Sequence, residues 1–488
     1  MFKIGDTAVT HLTHDSRTVH SGSCFFAIAG GKTNGNMYVM SAVSNGASII
    51  VAERGSALPE IPVPVLYVDD VRAAMAHAAK RFHNDICDRM TIVGITGTNG
   101  KTTSTYILRT LLGGPHARKI GVVGTLGAFV GDIRLECDLT TPDPIKLHEI
   151  FAQMYKLGVR TVAMEVSAHA IHHKKIAGIT FAAGVFTNLT QDHLDFFPTF
   201  DDYAQTKLRF MTDANVRTAI TNVDDHYGRR IVERAKTVHK YSITNDATDI
   251  VMLKNGSRFT AYGHEFFVPL AGRFNIENAL ACITTAHVLG VSYRTIAKRL
   301  ATVAPVSGRF NVVEVPTPFR KGGAAEAAGV FHVIIDYAHT PDGLEKILTN
   351  ARELVKKGGK LLVVFGCGGN RDRAKREIMG QIAAQHADLV FITSDNPRDE
   401  SPTAIMMQIE AGLKSAGMSL LEPPFVKGVP EGRGFFLDPD RRAATHAALD
   451  AANAGDVVVI AGKGAESTIE LAGKFIPYSD AETVAQYI

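Results

Sequence analysis

The chain has no tryptophan, and its 488 residues include only five cysteines. Cys24, Cys87, Cys137, Cys282 and Cys367 lie far apart with no CxxC pair. So odd and sparse a set argues against a disulfide framework or a thiolate metal centre. Neither charge is in excess: 52 Lys and Arg face 49 Asp and Glu, a formal net charge of +3. With no basic field and no interleaving of basic and aromatic residues, a nucleic-acid partner is not expected. No run approaches ~18 apolar residues, so no membrane-inserted helix is expected. The opening MFKIGDTAVTHLTHDSR lacks the apolar core of a secretory signal. These exclusions leave the expectation of a reduced, cytoplasmic, soluble enzyme of ordinary composition.

The length exceeds what one hydrophobic core organises and suggests about three domains. Residues 1–88 give short strands and helices, among them GSCFFAIAG, ASIIVAE and VRAAMAHAAKRFH. From Met90 a strand–loop–helix pattern repeats through RMTIVGITG, VRTVAMEVS, FAAGVFTNLT and VRTAITNVDD, giving a second segment, 89–304. A third series, 305–488, runs through FHVIIDYAHT, KLLVVFGCGGN, ADLVFITSDNPR and GDVVVIAGKGAE. Buried apolar strands alternating with amphipathic helices predict an α/β protein with parallel sheets covered on both faces. Ligand sites in such sheets lie at the carboxyl ends of the strands, so those four terminal loops predict an active-site rim. KGGAAEAAG at 321–329 reads as a surface hairpin loop or small insertion.

The strongest local signal is TIVGITGTNGKTTSTYILRTLL. An apolar strand runs into a glycine-rich turn, and a helix opens at Thr102. Glycines let the backbone wrap phosphate oxygens, and successive N–H groups at a helix start favour the anion. Lys101 reaches the β- and γ-phosphates in this pattern, and the Thr102 hydroxyl is a magnesium ligand. The strict pattern places glycine six residues before the lysine, where this chain has Ile95. Glu165 follows the next apolar strand, and Asp192, His193 and Asp195 follow another. Beside a phosphate loop they suit Mg²⁺; taken alone, Glu165 reads rather as a helix cap and His193 as a satisfied loop histidine. Lys207, in DDYAQTKLRF, reads as an ordinary solvated lysine.

GTNGKTT, TTPDP, MEVSAHA, TNLTQDHLDF, YAQTK, GRFNIENALA, SGRFN, DYAHTPDGLE, FGCGGNRDRAKR, SDNPR and AGKGAE occur in that order. Together they resemble the Mur ligase family, and within it the members that add meso-diaminopimelate. The resemblance implies an N-terminal uridine-nucleotide domain, a central P-loop ATPase domain and a C-terminal Rossmann-like domain. It implies that Gly97, Thr98, Asn99, Gly100, Lys101, Thr102 and Thr103 hold ATP phosphates, with Asn275 on adenine and Arg309 and Asp336 across the cleft. Thr102, Glu165, His193 and a carbamylated Lys207 are then the Mg²⁺ ligands. Ser16, Thr140, Thr141, Ser167, His173 and Lys175 are assigned to the acceptor, UDP-N-acetylmuramoyl-L-alanyl-D-glutamate. Arg371, Asp395, Asn396, Pro397, Arg398, Gly462 and Glu466 are assigned to diaminopimelate.

Within that resemblance, the guanidinium of Arg398 forks onto the carboxylate that distinguishes diaminopimelate from lysine. A lysine would then strand Arg398 unpaired. The bland reading of Arg398 is a surface ion pair with Asp399 or Glu400. Lys175, His173, Asn370, Ala465 and Phe197 depart from the family pattern, which expects Arg, Gln, Asp, His and His there. The implied chemistry is attack of a D-glutamyl carboxylate on the ATP γ-phosphate, then aminolysis of the acyl phosphate, by a monomer whose domains close over the site. Addition of L-lysine or another amino acid, a slow ATP-hydrolysing scaffold, and a folylpolyglutamate-type ligase are the alternatives.

Overall fold

The computed structural model describes residues 2–30, 33–253, 255–317, 329–421 and 433–488. The 321–329 segment expected to form a hairpin or insertion therefore falls almost wholly outside the described residues. Three sheet assemblies follow one another along the chain. The first is a four-stranded parallel sheet of His11–Thr13, Ser23–Ala27, Ala47–Glu53 and Val65–Val68, in that spatial order.

The second assembly positions the phosphate loop. Its eight strands run Ile133–Leu135, Gly127–Val130, Ile120–Gly124, Thr161–Glu165, Thr91–Thr96, Ala183–Phe186, Ala219–Asn222 and Val238–Tyr241. The last six are parallel, and the first two form an antiparallel edge. From the central strand Thr91–Thr96 the chain first winds to one side, then returns to the other with Ala183–Phe186. Such a switch point opens a crevice at the carboxyl ends. Alternation along Thr91–Thr96 sends Ile92 to one core, and Val93 and Ile95 to the other, against Ile107, Leu108 and the buried helix Phe274–Val288. Gly94 is glycine for packing: a Cβ there would lie 2.8 Å from the rings of Phe181 and Phe210. An antiparallel meander, Ala247–Leu253, Gly256–Ala261 and His264–Val268, follows, which the sequence reading does not single out.

The third assembly has seven strands: Asn311–Pro316, Val330–Asp336, Val457–Ala461, Leu361–Phe365, Leu389–Ile392, Gly434–Leu437 and Ser419–Leu420. All pairings are parallel except that of the first strand. Apolar clusters cover both faces, the doubly wound arrangement expected of strands apolar on both sides. The loops at 336–339, 366–373, 393–400 and 461–466 all leave the carboxyl ends of these strands, forming the anticipated rim.

Candidate active site

The phosphate loop joins Thr91–Thr96 to the helix Lys101–Gly113. Gly97 and Gly100 hold φ of 144° and 84°, in the left-handed region where a side chain is strained. Neighbours fill the space as well: a Cβ on Gly97 would lie 1.9 Å from Thr187 Oγ1, and one on Gly100 2.2 Å from Asn278 Oδ1. The Lys101 ammonium donates to the carbonyls of Gly97 at 2.9 Å and Thr98 at 2.7 Å. Burial lowers its pKa against the opposing pull of Glu165 and Asp192.

Glu165 ends its strand fully buried next to that loop. Its Oε1 accepts from the Thr102 hydroxyl at 2.9 Å and the Thr125 N–H at 2.9 Å, and Oε2 accepts from the Thr125 hydroxyl at 3.1 Å. Thr102 Oγ1 also accepts from Arg309 Nη2 at 3.0 Å, and Asn99 donates to Asp342 at 2.6 Å. Both bonds reach residues that lead into or belong to the third assembly. Asp336 accepts from the N–H groups of Phe310 at 2.6 Å and Ala338 at 2.7 Å, with its pKa raised by burial. Asn275 is buried and donates to the Ala271 carbonyl at 2.7 Å.

Lys207 overturns the expectation of a solvated side chain. It is 1% exposed on the helix Phe200–Thr212, whose start is fixed by a capping box between Thr199 and Asp202. Its ammonium donates to the Gly97 carbonyl at 2.9 Å, over the Tyr203 ring. Burial first, then the Lys101 charge, push its pKa well below the usual lysine range. His193 has φ 58° and a pKa lowered to about 3 by burial, so its imidazole is neutral at physiological pH. Beside it, at 3.3 Å, burial pushes the Asp192 carboxyl up, but His193, His339, Lys375 and Lys101 together hold it at about 2.

One cavity of about 570 Å³ unites these groups. Thr98 to Thr103, Glu165, His193, Lys207, Arg309 and Asp336 line it, and so do Thr140, Thr141, Ser167, His173 and Lys175. Thr141 donates to the Glu165 carbonyl at 3.0 Å, and Lys175 donates to the Thr141 carbonyl at 3.0 Å. Burial lowers the pKa of Lys175, and that of His173 to about 4. Ser16 is not among the lining residues; it opens the single turn Ser16–Thr18 in the first assembly.

The residues assigned to diaminopimelate divide. Arg371 lines the cavity and faces Asp195 at 3.7 Å. Asp395, Asn396, Pro397, Arg398, Gly462 and Glu466 gather beside it around a buried lysine that the sequence reading passes over. Lys463 donates to Asn396 Oδ1 at 3.0 Å and Glu466 Oε2 at 2.8 Å, while Asn396 Nδ2 donates to Glu466 at 2.9 Å. Gly462 is glycine because a Cβ would meet Asp395 Oδ2 at 2.4 Å. Arg398 pairs with neither Asp399 nor Glu400. Its Nε donates to Glu470 at 2.9 Å and its Nη1 to the Gly369 carbonyl at 2.8 Å. Glu400 instead takes the fully buried Arg376 in a two-pronged pair, and Arg441 grips Asp480 with both fully buried. Thr125 and Asn278 are further cavity residues absent from the sequence assignments.

Among the described residues no three His, Cys, Asp or Glu side chains gather as a metal cage. The oxygen donors of Glu165 and Thr102 still fit magnesium, which takes few protein ligands and completes its shell with phosphate oxygens and water.

Comparison with known proteins gives the same picture over the whole chain. Residues 8–83 match the profile described as Mur ligase family, catalytic domain; 95–286 match the Mur ligase middle domain; 323–464 match the Mur ligase, glutamate ligase domain. A protein of Caldanaerobacter subterraneus subsp. tengcongensis named UDP-N-acetylmuramoyl-L-alanyl-D-glutamate–2,6-diaminopimelate ligase is 37% identical, over 98% of this chain and 95% of its own. The chain belongs to the Mur ligase family. The Aquifex aeolicus member of the same name is 37% identical, over 98% and 94% of the two chains. A solved Mur ligase of that name superposes with a TM-score of 0.65 at 28% identity, covering 98% and 94%. The MurF ligase of Thermotoga maritima, solved with ADP, shares the fold with a TM-score of 0.59 at 20% identity, covering 94% and 95%. No helix among the described residues is long and apolar enough to cross a membrane.

Proposed function

We propose that this Mur ligase uses ATP to join meso-diaminopimelate to the D-glutamyl carboxylate of UDP-N-acetylmuramoyl-L-alanyl-D-glutamate, a step in making the peptidoglycan peptide. The observation that carries it is the single cavity lined at once by the phosphate loop, the Thr140–Thr141–Ser167 wall and Arg371. Three substrates can meet only where three such surfaces do. Residues 1–88 take the uridine nucleotide, 89–304 the ATP, and 305–488 the amino acid, a division that follows the change of sheet. The protein acts as a monomer in this reading, and both nucleotides are cytoplasmic metabolites, which places the proposed reaction there.

In this reading the loop N–H groups from Gly97 to Thr103, with Lys101, orient the triphosphate. The acceptor carboxylate attacks the γ-phosphorus, and ADP leaves. Lys101 and Arg309 offset charge on the transferred group. Mg²⁺, held by Thr102 and Glu165 with a second ion near His193 and Lys207, would neutralise phosphate charge. Burial favours the unprotonated amine of Lys207, the form that adds carbon dioxide and releases a proton to become a carbamate. The diaminopimelate amine then attacks the acyl carbon, and phosphate leaves. Glu466, fixed by Lys463 and Asn396, is an acceptor suited to the ammonium group, and Arg398 is suited to the distal carboxylate.

A second reading, addition of lysine, has one observation in its favour: Arg398 is already paired with Glu470, so lysine strands no charge. Discrimination then reduces to one lost charge-assisted contact, about 1.5–3 kcal/mol or roughly 10- to 100-fold. The test is ADP release with ATP, Mg²⁺ and the acceptor nucleotide, comparing meso-diaminopimelate with L-lysine. The expected result is turnover favouring diaminopimelate by that factor. A preference for lysine overturns the specificity, and no turnover with any amino acid overturns the ligase.

A further inference from the structure

We infer that Glu470, which lies outside every motif of the site, is the positioning residue that sets the aim of Arg398 and hence the affinity for the amino acid's distal carboxylate. The inference rests on the reading of Arg398 given above. Glu470 belongs to the hairpin Thr468–Leu471 and Lys474–Pro477. That hairpin is joined to the Arg398 loop three times through its main chain. The Arg398 N–H donates to the Glu470 carbonyl at 2.9 Å, the Ala472 N–H to the Arg398 carbonyl at 2.7 Å, and the Glu470 N–H to Asn396 Oδ1 at 2.9 Å. The backbone of Arg398 sits at φ 51°, a conformation an arginine keeps only when its surroundings impose it.

With both backbones fixed, the reach of the Glu470 carboxylate is fixed too. It takes the Nε–H of Arg398 at 2.9 Å, while the Gly369 carbonyl takes one hydrogen of Nη1 at 2.8 Å. A guanidinium has five N–H groups. With the Nε–H taken, the side-on edge of Nε and Nη2 is closed, and both hydrogens of Nη2 and one of Nη1 are left to meet a carboxylate. Glu470 thus selects which edge of Arg398 is offered and removes the rotational freedom of a long side chain that is 21% exposed. An ordinary surface pair between two flexible chains would do neither.

The test is steady-state kinetics of the full chain with Glu470→Ala and Glu470→Gln. Glu470→Ala is expected to raise the KM for diaminopimelate about tenfold, the scale of re-immobilising one long side chain. The kcat, the KM for ATP, the KM for the acceptor nucleotide and the melting temperature stay near the parent values. Glu470→Gln, whose amide oxygen still accepts from Nε, is expected to return the diaminopimelate KM to within about threefold of the parent. An unchanged KM in Glu470→Ala overturns the proposal. So does a lower KM in both variants, which would make Glu470 a competing counter-ion, and so does a parallel rise in all three KM values. A parent that turns over the other substrates with lysine alone overturns the functional reading instead, and the two failures are thereby distinct.

Discussion

The two ends of the site treat their cations in opposite ways. At the phosphate end Lys101, Lys175 and Lys207 donate to main-chain carbonyls. Burial depresses the pKa of all three. At the amino-acid end Arg376, Arg398, Arg441 and Lys463 each hold a carboxylate of the protein itself. The difference follows from what each end is proposed to receive. A triphosphate brings several negative charges, so cations kept free of carboxylates gain most when it arrives. A zwitterionic amino acid brings both signs in a fixed pattern, and a matching lattice of ion pairs serves it better than net charge. One end is therefore held at some expense to stability, and the other is part of what holds the fold.

That contrast can be broken at its strongest point first. Asp480→Ala leaves Arg441 buried without its partner, and the expected loss is about 3–5 kcal/mol in denaturant unfolding. A loss below about 1 kcal/mol would mean that these ion pairs are incidental to the fold. Lys207→Met should behave in the opposite sense. It replaces a buried amine whose charge burial penalises by an apolar chain of similar length, so stability should hold or rise while ADP release falls about 10²–10³-fold. A variant as unstable as Asp480→Ala would erase the distinction between the two ends.

The smallest effect concerns a titratable group remote from both. His148, on the helix Pro144–Lys156 packed against Val71–Phe82, has its pKa lowered to about 3, chiefly by burial, and its Nε2 finds no hydrogen bond among the described residues. Because the folded pKa lies below the unfolded 6.5, its contribution is complete above about pH 6.5 and is lost as pH falls toward 3. Stability should drop by up to about 1.4 kcal/mol per pH unit across that window. His148→Gln should flatten the slope, as read from unfolding curves at pH 7, 6 and 5. An unchanged slope would show that another group titrates there.

Much of this was readable where chemistry is local. The phosphate loop is a contiguous strand–turn–helix, and its one irregularity is explained by the strand: Ile95 is a fully buried core residue of Thr91–Thr96, a place where glycine would only weaken packing. The four loops of the third assembly were likewise visible, since apolar runs ending in polar loops report strand ends directly. The burial of Lys207 has a signal in the sequence. Tyr203, Lys207 and Met211 are spaced by four and share the buried face of one helix, so the lysine stood on an apolar stripe. The partner of Arg398 carried no such signal. Asp399 and Glu400 are adjacent in sequence, but a left-handed backbone turns the side chain away from them toward a hairpin more than seventy residues on. The split of the amino-acid residues between cavity wall and neighbouring cluster also arises only from packing.

Two of the bonds between the second and third assemblies, Asn99 to Asp342 and Arg309 to Thr102, end on the phosphate loop, while Arg273 N–H to Asn350 and the Arg371–Asp195 pair join the same assemblies elsewhere. In mechanical terms that loop is one point on a hinge line. A rigid rotation of the third assembly about it leaves the triphosphate seat almost still, while points farther out sweep arcs in proportion to their distance. The amino-acid loops ride on that arm. In the proposed reading, the same small turn keeps one substrate gripped and carries the other toward it.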